Sequence, residues 1–490
     1  MVAALLIAEI ALHLLITRPT FYIYDPDTGW TLNPGAAGWQ HEEGTAWLAV
    51  NREGLRGPEI SVRKPPGTVR IAVLGDSFTE AQQVPQESTF CAVMQRKLGA
   101  CLKPRTVQVL NFGVDGYGTT QELITLRKRV WQFDPDAVVL AFFTGNDMRN
   151  NSVTLEGDKC RPFFIPHAGG ITLGGPFVDS AWFRFQCRMR FESRFSRVIA
   201  LLSRARVLIR DRIRARRARA HPAVLGRELG ISEAIYRAPE DAAWRDAWNV
   251  TEQQLVLMSH EVASHHVPFL VLTLSNGIQV YPDAAARAAY MRHLGVSDLF
   301  YADRRLQALG AREGFAVLNL AEPMQHWADA HHEFLHGFRG TRAGTGHWNT
   351  AGHELAGTLI SQRLCPMLAQ NAPQSSVDPG APTVAASPAP GEAGATRENY
   401  LLYCARCHGA GGRGDGPAAA TLESKPEDFA DCAAMRKLSD PMLAKIISEG
   451  GPSAGLSQEM PPWGSIFNDQ KTANLVRLIR SFCAGEANGK

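Results

Sequence analysis

The stretch Val69-Arg-Ile-Ala-Val-Leu-Gly75-Asp-Ser77-Phe-Thr-Glu80 decides the fold of the larger part of this chain. A short apolar run ends in a glycine, and a serine follows where a helical pattern begins. Similar apolar runs recur and alternate with amphipathic helical stretches. The further runs are Val107–Asn111, Ala137–Phe143, Phe269–Leu274 and Phe315–Leu320, and the helical stretches include Thr119–Trp131, Thr251–Ser264 and Ala284–His293. This alternation predicts an α/β fold in which helices cover both faces of a parallel sheet.

Polar and glycine-containing loops follow the predicted strands. The blocks are Gly75–Glu80, Asn111–Gly116 and Thr144–Asp147, together with Gly346–His353 at the start of the last helix. In open α/β sheets, chemistry lies beyond the carboxyl ends of the strands. A serine at such a turn presents its hydroxyl at the sheet edge and its N–H at a helix N-terminus. The alternative is that Asn111, Gly116 and Asn146 only form turns or cap helices.

In this order, the four blocks resemble the SGNH (GDSL-type) hydrolases over roughly Asn51 to Leu368. The resemblance implies a flavodoxin-like doubly wound parallel sheet and hydrolysis of esters, often acetyl groups on polysaccharides. It also implies site roles. Ser77 matches the nucleophile and His347 the base, while the N–H of Gly116 and the amide of Asn146 match the oxyanion hole, together with the N–H of Ser77.

The sequence departs from this family where an aspartate usually orients the histidine. Thr345 and Gly344 stand at the two expected positions, and Thr144 replaces the first glycine of the G-x-N-D block. Three alternatives follow: a Ser–His dyad oriented by a backbone carbonyl, an acid supplied from elsewhere, or a decayed site. The dyad hypothesis predicts slow hydrolysis and a gain of about tenfold in Thr345→Asp, since an orienting carboxylate is worth about 10⁴ in kcat in a serine protease.

A second motif, Cys404-Ala-Arg-Cys407-His408, has the spacing of covalent haem attachment. Two thiols can bond the two vinyl groups of one porphyrin, and the adjacent His408 then binds the iron. A zinc half-site is the alternative, but zinc needs about four ligands. With the glycine-rich run after it and Met460-Pro-Pro-Trp463, the segment Asn399 to Cys483 resembles a class I cytochrome c. The resemblance implies a small all-α domain with one haem c and Met460 as the second axial ligand.

Composition predicts the domain boundaries. Residues 371–396 are rich in Pro, Ala, Gly and Ser and form an extended linker. It separates a hydrolase-like domain at 21–370, with a lead-in and an arginine-rich insertion at about 180–245, from a cytochrome c domain at 397–490. Residues 1–20 are predicted to be a signal or membrane anchor, since Val2 to Thr17 is apolar except for Glu9 and His13.

Haem attachment of this kind takes place outside the bacterial cytoplasm, which predicts a periplasmic or other extracytoplasmic protein, anchored to the inner membrane. Two of the nine cysteines are assigned to haem, so an odd number remains and at least one has no partner within the chain. Cys432 and Cys483 are able to pair. The net charge of +3 and the lack of a basic reader motif predict no nucleic-acid partner.

Together these features predict an exported c-type cytochrome fused to a serine ester hydrolase, a carbohydrate deacetylase or esterase with a monohaem electron-transfer module. Its expected partners are an ester or acetylated glycan and an unidentified redox protein. Two alternatives remain open. One is an electron-transfer protein whose hydrolase-like domain is a degenerate binding module, and the other is a glycan O-acyltransferase.

Overall fold

The structure is a computed structural model. It describes residues 20–167, 170–192, 231–370, 396–397, 399–401, 403–416, 419, 422, 424–457, 460–464, 467 and 469–484. The predicted anchor except residue 20, residues 193–230 of the insertion and residues 371–395 of the linker lie outside these ranges. Within them, no helix is long and apolar enough to cross a bilayer. The chain divides into two compact units, residues 1–373 and residues 374–490.

The strands are short except at the centre of the first unit. In chain order, β1 to β11 are Tyr22–Asp25, Gly29–Leu32, Ala37–Gln40, Ala46–Ala49, Thr68–Gly75, Thr106–Asn111, Ala137–Phe143, Phe163–His167, Gly170–Gly174, Phe269–Leu274 and Ala316–Asn319.

The α-helices of the first unit lie mostly between these strands. They are α1 Ser77–Glu80, α2 Phe90–Cys101, α3 Thr119–Lys128, α4 Asp147–Asn150, α5 Pro176–Asp179, α6 Ala181–Glu192, α7 Ala242–Ser264, α8 Ala284–Leu294, α9 Tyr301–Glu313, α10 Ala321–His331 and α11 Thr350–Gln370.

Five parallel strands form the central sheet in the order β11-β10-β7-β5-β6. Renumbered by their order along the chain, they run 2-1-3-4-5 from the β6 edge, the flavodoxin-like order of a doubly wound sheet. The predicted α/β parallel sheet is therefore confirmed. The order also creates a switch point between β5 and β7, so the loops after these two strands open beside each other.

Both faces of the sheet are covered. All eight residues of β5 are buried, as an apolar strand in a two-sided core requires. Successive side chains point to opposite faces, so Ala72 and Leu74 join one hydrophobic core while Ile71 and Val73 join the other. The sheet therefore provides a rigid base for the loops at its edge.

The lead-in before β5 contains regular secondary structure. It folds into two antiparallel hairpins, β1–β2 and β3–β4. In the second hairpin, Ala46 and Leu48 point inward while Trp39 and Trp47, which face each other across the strands, point outward. A third hairpin, β8–β9, precedes α5.

The described secondary structure of the second unit is helical. It comprises α12 Ala405–His408, α13 Cys432–Met435, α14 Asp440–Glu449 and α15 Asp469–Ala484, around a core that includes Tyr400, Phe429, Met435, Leu443, Phe467 and Ile479.

Three disulfides join six of the nine cysteines: Cys101–Cys365, Cys160–Cys187 and Cys432–Cys483. The last is the pair that the sequence made possible. Cys91 is buried and unpaired, as the odd count predicted, and Cys404 and Cys407 carry free thiols.

Candidate functional site

Ser77 lies at the carboxyl edge of the sheet, where β5 turns directly into α1. Asp76 is the N-cap of this helix, and its side chain accepts a hydrogen bond from the N–H of Phe78 at 2.9 Å. Ser77 is 6% exposed. The strand-to-helix turn therefore holds Ser77 at the carboxyl edge of the sheet, next to the switch point between β5 and β7.

His347 lies on the loop before α11 and contacts the serine. Its Nε2 is 2.8 Å from Ser77 Oγ, and its Nδ1 is 2.9 Å from Glu43 Oε2. The backbone N–H of His347 donates to the same carboxylate oxygen at 3.0 Å. With Nδ1–H donating to Glu43, Nε2 is free to accept the hydroxyl proton of Ser77.

Glu43 lies in the turn between β3 and β4, 304 residues before His347. Of the three alternatives left open by the sequence, the structure matches an acid supplied from elsewhere. The fit is close. Glu43 adopts the left-handed backbone conformation, with φ +59°. Gly346 has φ +80°, and a Cβ there would lie 2.7 Å from Glu43 Oε2, so another residue before His347 would be strained and would displace the carboxylate.

The position of the expected aspartate does not face the histidine. The hydroxyl of Thr345 donates to the carbonyl of Arg342 at 2.8 Å, and Gly344 has φ +75° in a tight turn. The dyad oriented by a backbone carbonyl, the hypothesis behind the predicted gain in Thr345→Asp, does not match this geometry.

The contact between Glu43 and His347 shifts the pKa of each residue. Partial burial alone would raise the pKa of Glu43, but hydrogen bonds from His347 and its charge outweigh burial and lower it. Burial alone would lower the pKa of His347, yet the hydrogen bond and charge of Glu43 raise it above its ordinary value. The carboxylate therefore stabilises the imidazolium that forms when the histidine takes a proton.

A buried second histidine holds the His347 loop. His336 Nδ1 donates to the carbonyl of Gly346 at 2.7 Å, so its Nε2 accepts from the hydroxyl of Ser275 at 3.0 Å. Ser275 Oγ in turn accepts from the indole N–H of Trp348 at 2.9 Å. Burial lowers the pKa of His336 to about 4, so the ring is neutral and both hydrogen bonds persist near neutral pH. Sequence reasoning missed this residue because nothing local links it to the loop.

The oxyanion donors expected from the sequence follow three neighbouring strands: Ser77 follows β5, Gly116 follows β6 and Asn146 follows β7. Within the described residues, the backbone N–H groups of Ser77 and Gly116 donate no hydrogen bond, which leaves both for a ligand. Gly116 has φ +74°, a turn conformation that suits glycine.

Asn146 occupies the N-cap position of α4, but its side chain does not cap the helix. Its Nδ2 instead lies 3.5 Å from Asp76 Oδ2, while its Oδ1 is buried without a partner among the described residues. The capping alternative therefore does not account for this side chain. Burial raises the pKa of Asp76 to about 6, with the hydrogen bond from Phe78 opposing it.

The second unit holds the haem-motif residues on one turn of helix. Cys404 is the N-cap of α12, and Cys407 and His408 lie within it. His408 Nδ1 lies 3.3 Å from the carbonyl of Glu427, and its ring stacks on Phe429 at 4.4 Å. This contact orients the imidazole and leaves Nε2 as the free nitrogen. Burial lowers the pKa of His408, which favours the neutral, ligating form.

Met460 lies at the turn after α14. Its carbonyl accepts from Gly451 N–H at 2.9 Å, and its N–H donates to Ser457 at 3.3 Å. Two thiols, an imidazole and a thioether are the types of side chain that haem c bonds, so the chemistry of these four residues fits the group.

Comparisons with known proteins give solved structures only; no family model and no curated protein matches the chain. The lipase/acylhydrolase from Enterococcus faecalis is 17% identical, with a TM-score of 0.32 over 61% of this chain and 96% of that one. The acetyl xylan esterase AlAXEase is 11% identical, with a TM-score of 0.32 over 60% and 100%. A two-domain esterase (CEX) active on acetylated mannans is 12% identical, with a TM-score of 0.30 over 65% and 53%.

Proposed function

We propose that the first unit is a serine ester hydrolase whose nucleophile, base and orienting acid are Ser77, His347 and Glu43. The observation that carries the proposal is the continuous hydrogen-bond chain from Glu43 Oε2 through His347 to Ser77 Oγ, with steps of 2.9 and 2.8 Å. A serine hydroxyl becomes a nucleophile only beside a base, and the base needs a third group to orient it. A degenerate binding module has no need for this arrangement.

Each group has a defined role in the reaction. His347 Nε2 takes the proton of Ser77 as Oγ attacks the ester carbonyl, and Glu43 stabilises the resulting imidazolium. The N–H groups of Ser77 and Gly116 and the amide of Asn146 stabilise the oxyanion, each donor contributing about 3 kcal/mol in known cases. The imidazolium then protonates the leaving alcohol, and water hydrolyses the acyl-serine by the same proton transfers.

The substrate that we propose is an acetylated glycan. The hairpin that carries Glu43 also presents Trp39 and Trp47 to solvent, 59% and 50% exposed, with ring centroids 5.7 Å apart. The two indoles pack edge to face and form one exposed apolar patch, and such patches mark binding surfaces. Flat indole faces suit the apolar faces of sugar rings, and this pair is four residues from Glu43 on either strand.

Hydrolysis of p-nitrophenyl acetate and of acetylated xylan tests the proposal. We expect Ser77→Ala to abolish both activities, while Ser297→Ala, at an exposed serine far along the chain, leaves them intact. Activity that survives in Ser77→Ala would refute the mechanism. The acyltransferase alternative shares the active site, and transfer of acetyl to an added oligosaccharide in preference to water would favour it.

For the second unit we propose a monohaem c-type cytochrome, in which Cys404 and Cys407 form the thioether bonds and His408 and Met460 are the axial ligands. When bound, the haem supplies one-electron transfer to a redox partner that the chain does not identify. Cys404 and Cys407 are not in a disulfide, and the adjacent His408 is oriented by a backbone carbonyl; both observations support the proposal.

Haem that survives acid–acetone extraction from protein matured in an exporting host is the expected result. We expect Met460→Ala to lower the reduction potential, because methionine ligation raises it. Met442→Ala, at an exposed methionine of α14, is the matched control. Extractable haem, or an effect of Met442→Ala alone, would contradict the assignment.

We further propose that the protein works outside the cytoplasm, held at the inner membrane by its N-terminal segment. Three disulfides support an oxidising compartment, since such bonds are rare in reducing ones. Separation of membrane from soluble periplasmic fractions of the native host tests this proposal, and recovery in the cytoplasm would refute it.

A further inference from the structure

Arg161, between α4 and β8, is a buried cation with no direct partner. Its side chain is 5% exposed, and its Nε and Nη1 are fully covered without a hydrogen bond in the described part of the chain. Among the described residues, the guanidinium makes a cation–π contact with Trp30, whose ring centroid lies 4.8 Å away.

Two other buried arginines show what a structural role looks like in this protein. Arg56 donates through its terminal nitrogens to the carbonyls of Glu80 and Val84, at 2.5 and 2.6 Å. Arg70 donates to the carbonyls of Val62 and Phe133, at 2.6 and 2.9 Å. Both tie segments of backbone together. Arg161 ties nothing together, although a buried charge is costly unless it is paired.

The guanidinium lies beside Gly116, one of the proposed oxyanion donors. A Cβ on Gly116 would be 3.9 Å from Arg161 Nη2 and 3.4 Å from the Trp30 ring. The Trp30 indole N–H donates to the carbonyl of Asp115 at 2.9 Å, which fixes the ring against the same loop. Glu156, Asp158 and Asp115 favour the charge of Arg161 from a distance, but none forms an ion pair with it.

We propose that Arg161 is a specificity residue that binds a carboxylate of the substrate next to the reacting ester. This inference rests on the proposed ester hydrolysis and narrows its substrate class to acidic esters, such as an acetylated uronate polymer. A guanidinium N–H donates a strong charge-assisted hydrogen bond to a carboxylate, and Nη2 is the nitrogen of Arg161 that faces Gly116. Trp30 positions the guanidinium before a substrate binds, so little side-chain entropy is lost on binding.

The experiment compares kcat/KM for two matched pairs of esters, each with an acidic and a neutral member. The first pair is mono-p-nitrophenyl succinate and p-nitrophenyl acetate; the second is acetylated oligogalacturonate and acetylated xylo-oligosaccharide. The readout is the acidic-to-neutral ratio. We expect the wild type to favour the acidic member in at least one pair, and Arg161→Gln to lower that ratio about 10- to 100-fold, as loss of a charged hydrogen bond predicts.

Arg161→Lys should restore part of the ratio, and Arg312→Gln, at an exposed arginine of α9, should leave it unchanged. A wild type without preference in either pair would overturn the proposal, as would an equal loss on acidic and neutral esters in Arg161→Gln. Ser77-dependent hydrolysis of p-nitrophenyl acetate would still stand in both cases, so the two proposals fail separately. A large drop in Tm for Arg161→Gln, with the ratio unchanged, would assign Arg161 a structural role.

Discussion

At the scale of single residues, the Glu43 carboxylate controls the basicity of His347. Because it raises the pKa of His347, the protonated and inactive form persists to higher pH than for a free histidine. Activity should therefore rise with pH along an acid limb displaced above the ordinary histidine range. The same contact that strengthens the base at neutral pH makes the enzyme less active in acid.

We predict that Glu43→Gln lowers kcat for p-nitrophenyl acetate by roughly 10²–10⁴, because the ring loses its orientation and the imidazolium its counter-charge. The acid limb of the pH profile should also move to lower pH, since the pKa of His347 falls. The matched control is Glu42→Gln at the neighbouring exposed position. An unchanged rate and profile in Glu43→Gln would return the site to a Ser–His dyad.

Thr345→Asp gives a second prediction at this scale. Because Glu43 already occupies Nδ1 of His347, a new carboxylate should bring no gain, and it removes the hydrogen bond from Thr345 to the Arg342 carbonyl. We expect kcat/KM to stay level or to fall by up to about tenfold. A tenfold increase, measured beside Thr341→Asp on the same loop, would show that the orienting group is incomplete.

These residues show which parts of the site can be predicted from the sequence. Ser77 and His347 belong to short blocks beside a strand or helix, so local pattern places them. Glu43 lies in a hairpin turn and reaches His347 only through the fold. The one local trace is Gly346, whose missing side chain makes room for the carboxylate. Arg161 has no trace at all, because the absence of partners shows only in three dimensions.

At the scale of elements, the strands of the central sheet could be predicted to within a residue or two because each is a mostly apolar run. The inner strands β5, β7 and β10 are buried on both faces, whereas the edge strands β6 and β11 are only partly buried. The lead-in hairpins β1 to β4 could not be predicted. Each strand has only four residues, which is too short for a sequence period to stand out, and Trp39 and Trp47 are apolar residues on the exposed face of β3 and β4. The hairpin β3–β4, which carries Glu43, was therefore the hardest element to predict from the sequence.

Helix α3 carries an unusual buried group that gives a prediction of its own. Glu122 is fully buried, and neither carboxylate oxygen has a partner among the described residues. Burial raises its pKa well above the ordinary range, and the charge of Asp76 adds to this. The folded state thus holds Glu122 protonated while the unfolded chain ionises, so stability falls as pH rises above the ordinary glutamate pKa.

Glu122→Gln, which stays neutral at every pH, should remove this loss. We expect the difference in Tm, variant minus wild type, to become more positive between pH 5 and pH 8, by roughly 2–4 °C for each kcal/mol relieved. Glu240→Gln, before α7, serves as the control, since that side chain is 75% exposed. A Tm difference that is constant with pH would mean that Glu122 is ionised in the folded protein or hydrogen-bonded in it.

At the scale of the whole molecule, the cysteines of both units point to the same proposed compartment outside the cytoplasm. Covalent haem and disulfides both need the chain to leave a reducing cytoplasm. The haem motif could be found in the sequence because its residues are adjacent along the chain. The unpaired cysteine could be found because it follows from the number of cysteines alone. The pairing Cys101–Cys365, which joins α2 to α11 across 264 residues, follows only from the fold.

Counting thiols tests this whole set of bonds in one measurement. Six of the nine cysteines lie in disulfides, so three thiols remain in haem-free protein: Cys91, Cys404 and Cys407. If haem is bound through two thioethers, only Cys91 remains. Denaturation without reductant, followed by iodoacetamide and intact mass analysis, should therefore show one added group on haem-loaded chains and three on haem-free chains.

The double variant Cys404→Ser/Cys407→Ser is the matched control, because it should add one group whether or not haem is supplied. Three added groups on chains that retain haem would show that the haem is not held by thioethers. More than three on haem-free wild type would show that a disulfide is absent. Since buried Cys91 becomes accessible only on unfolding, its label also reports that denaturation was complete, so a low count cannot arise from hidden thiols.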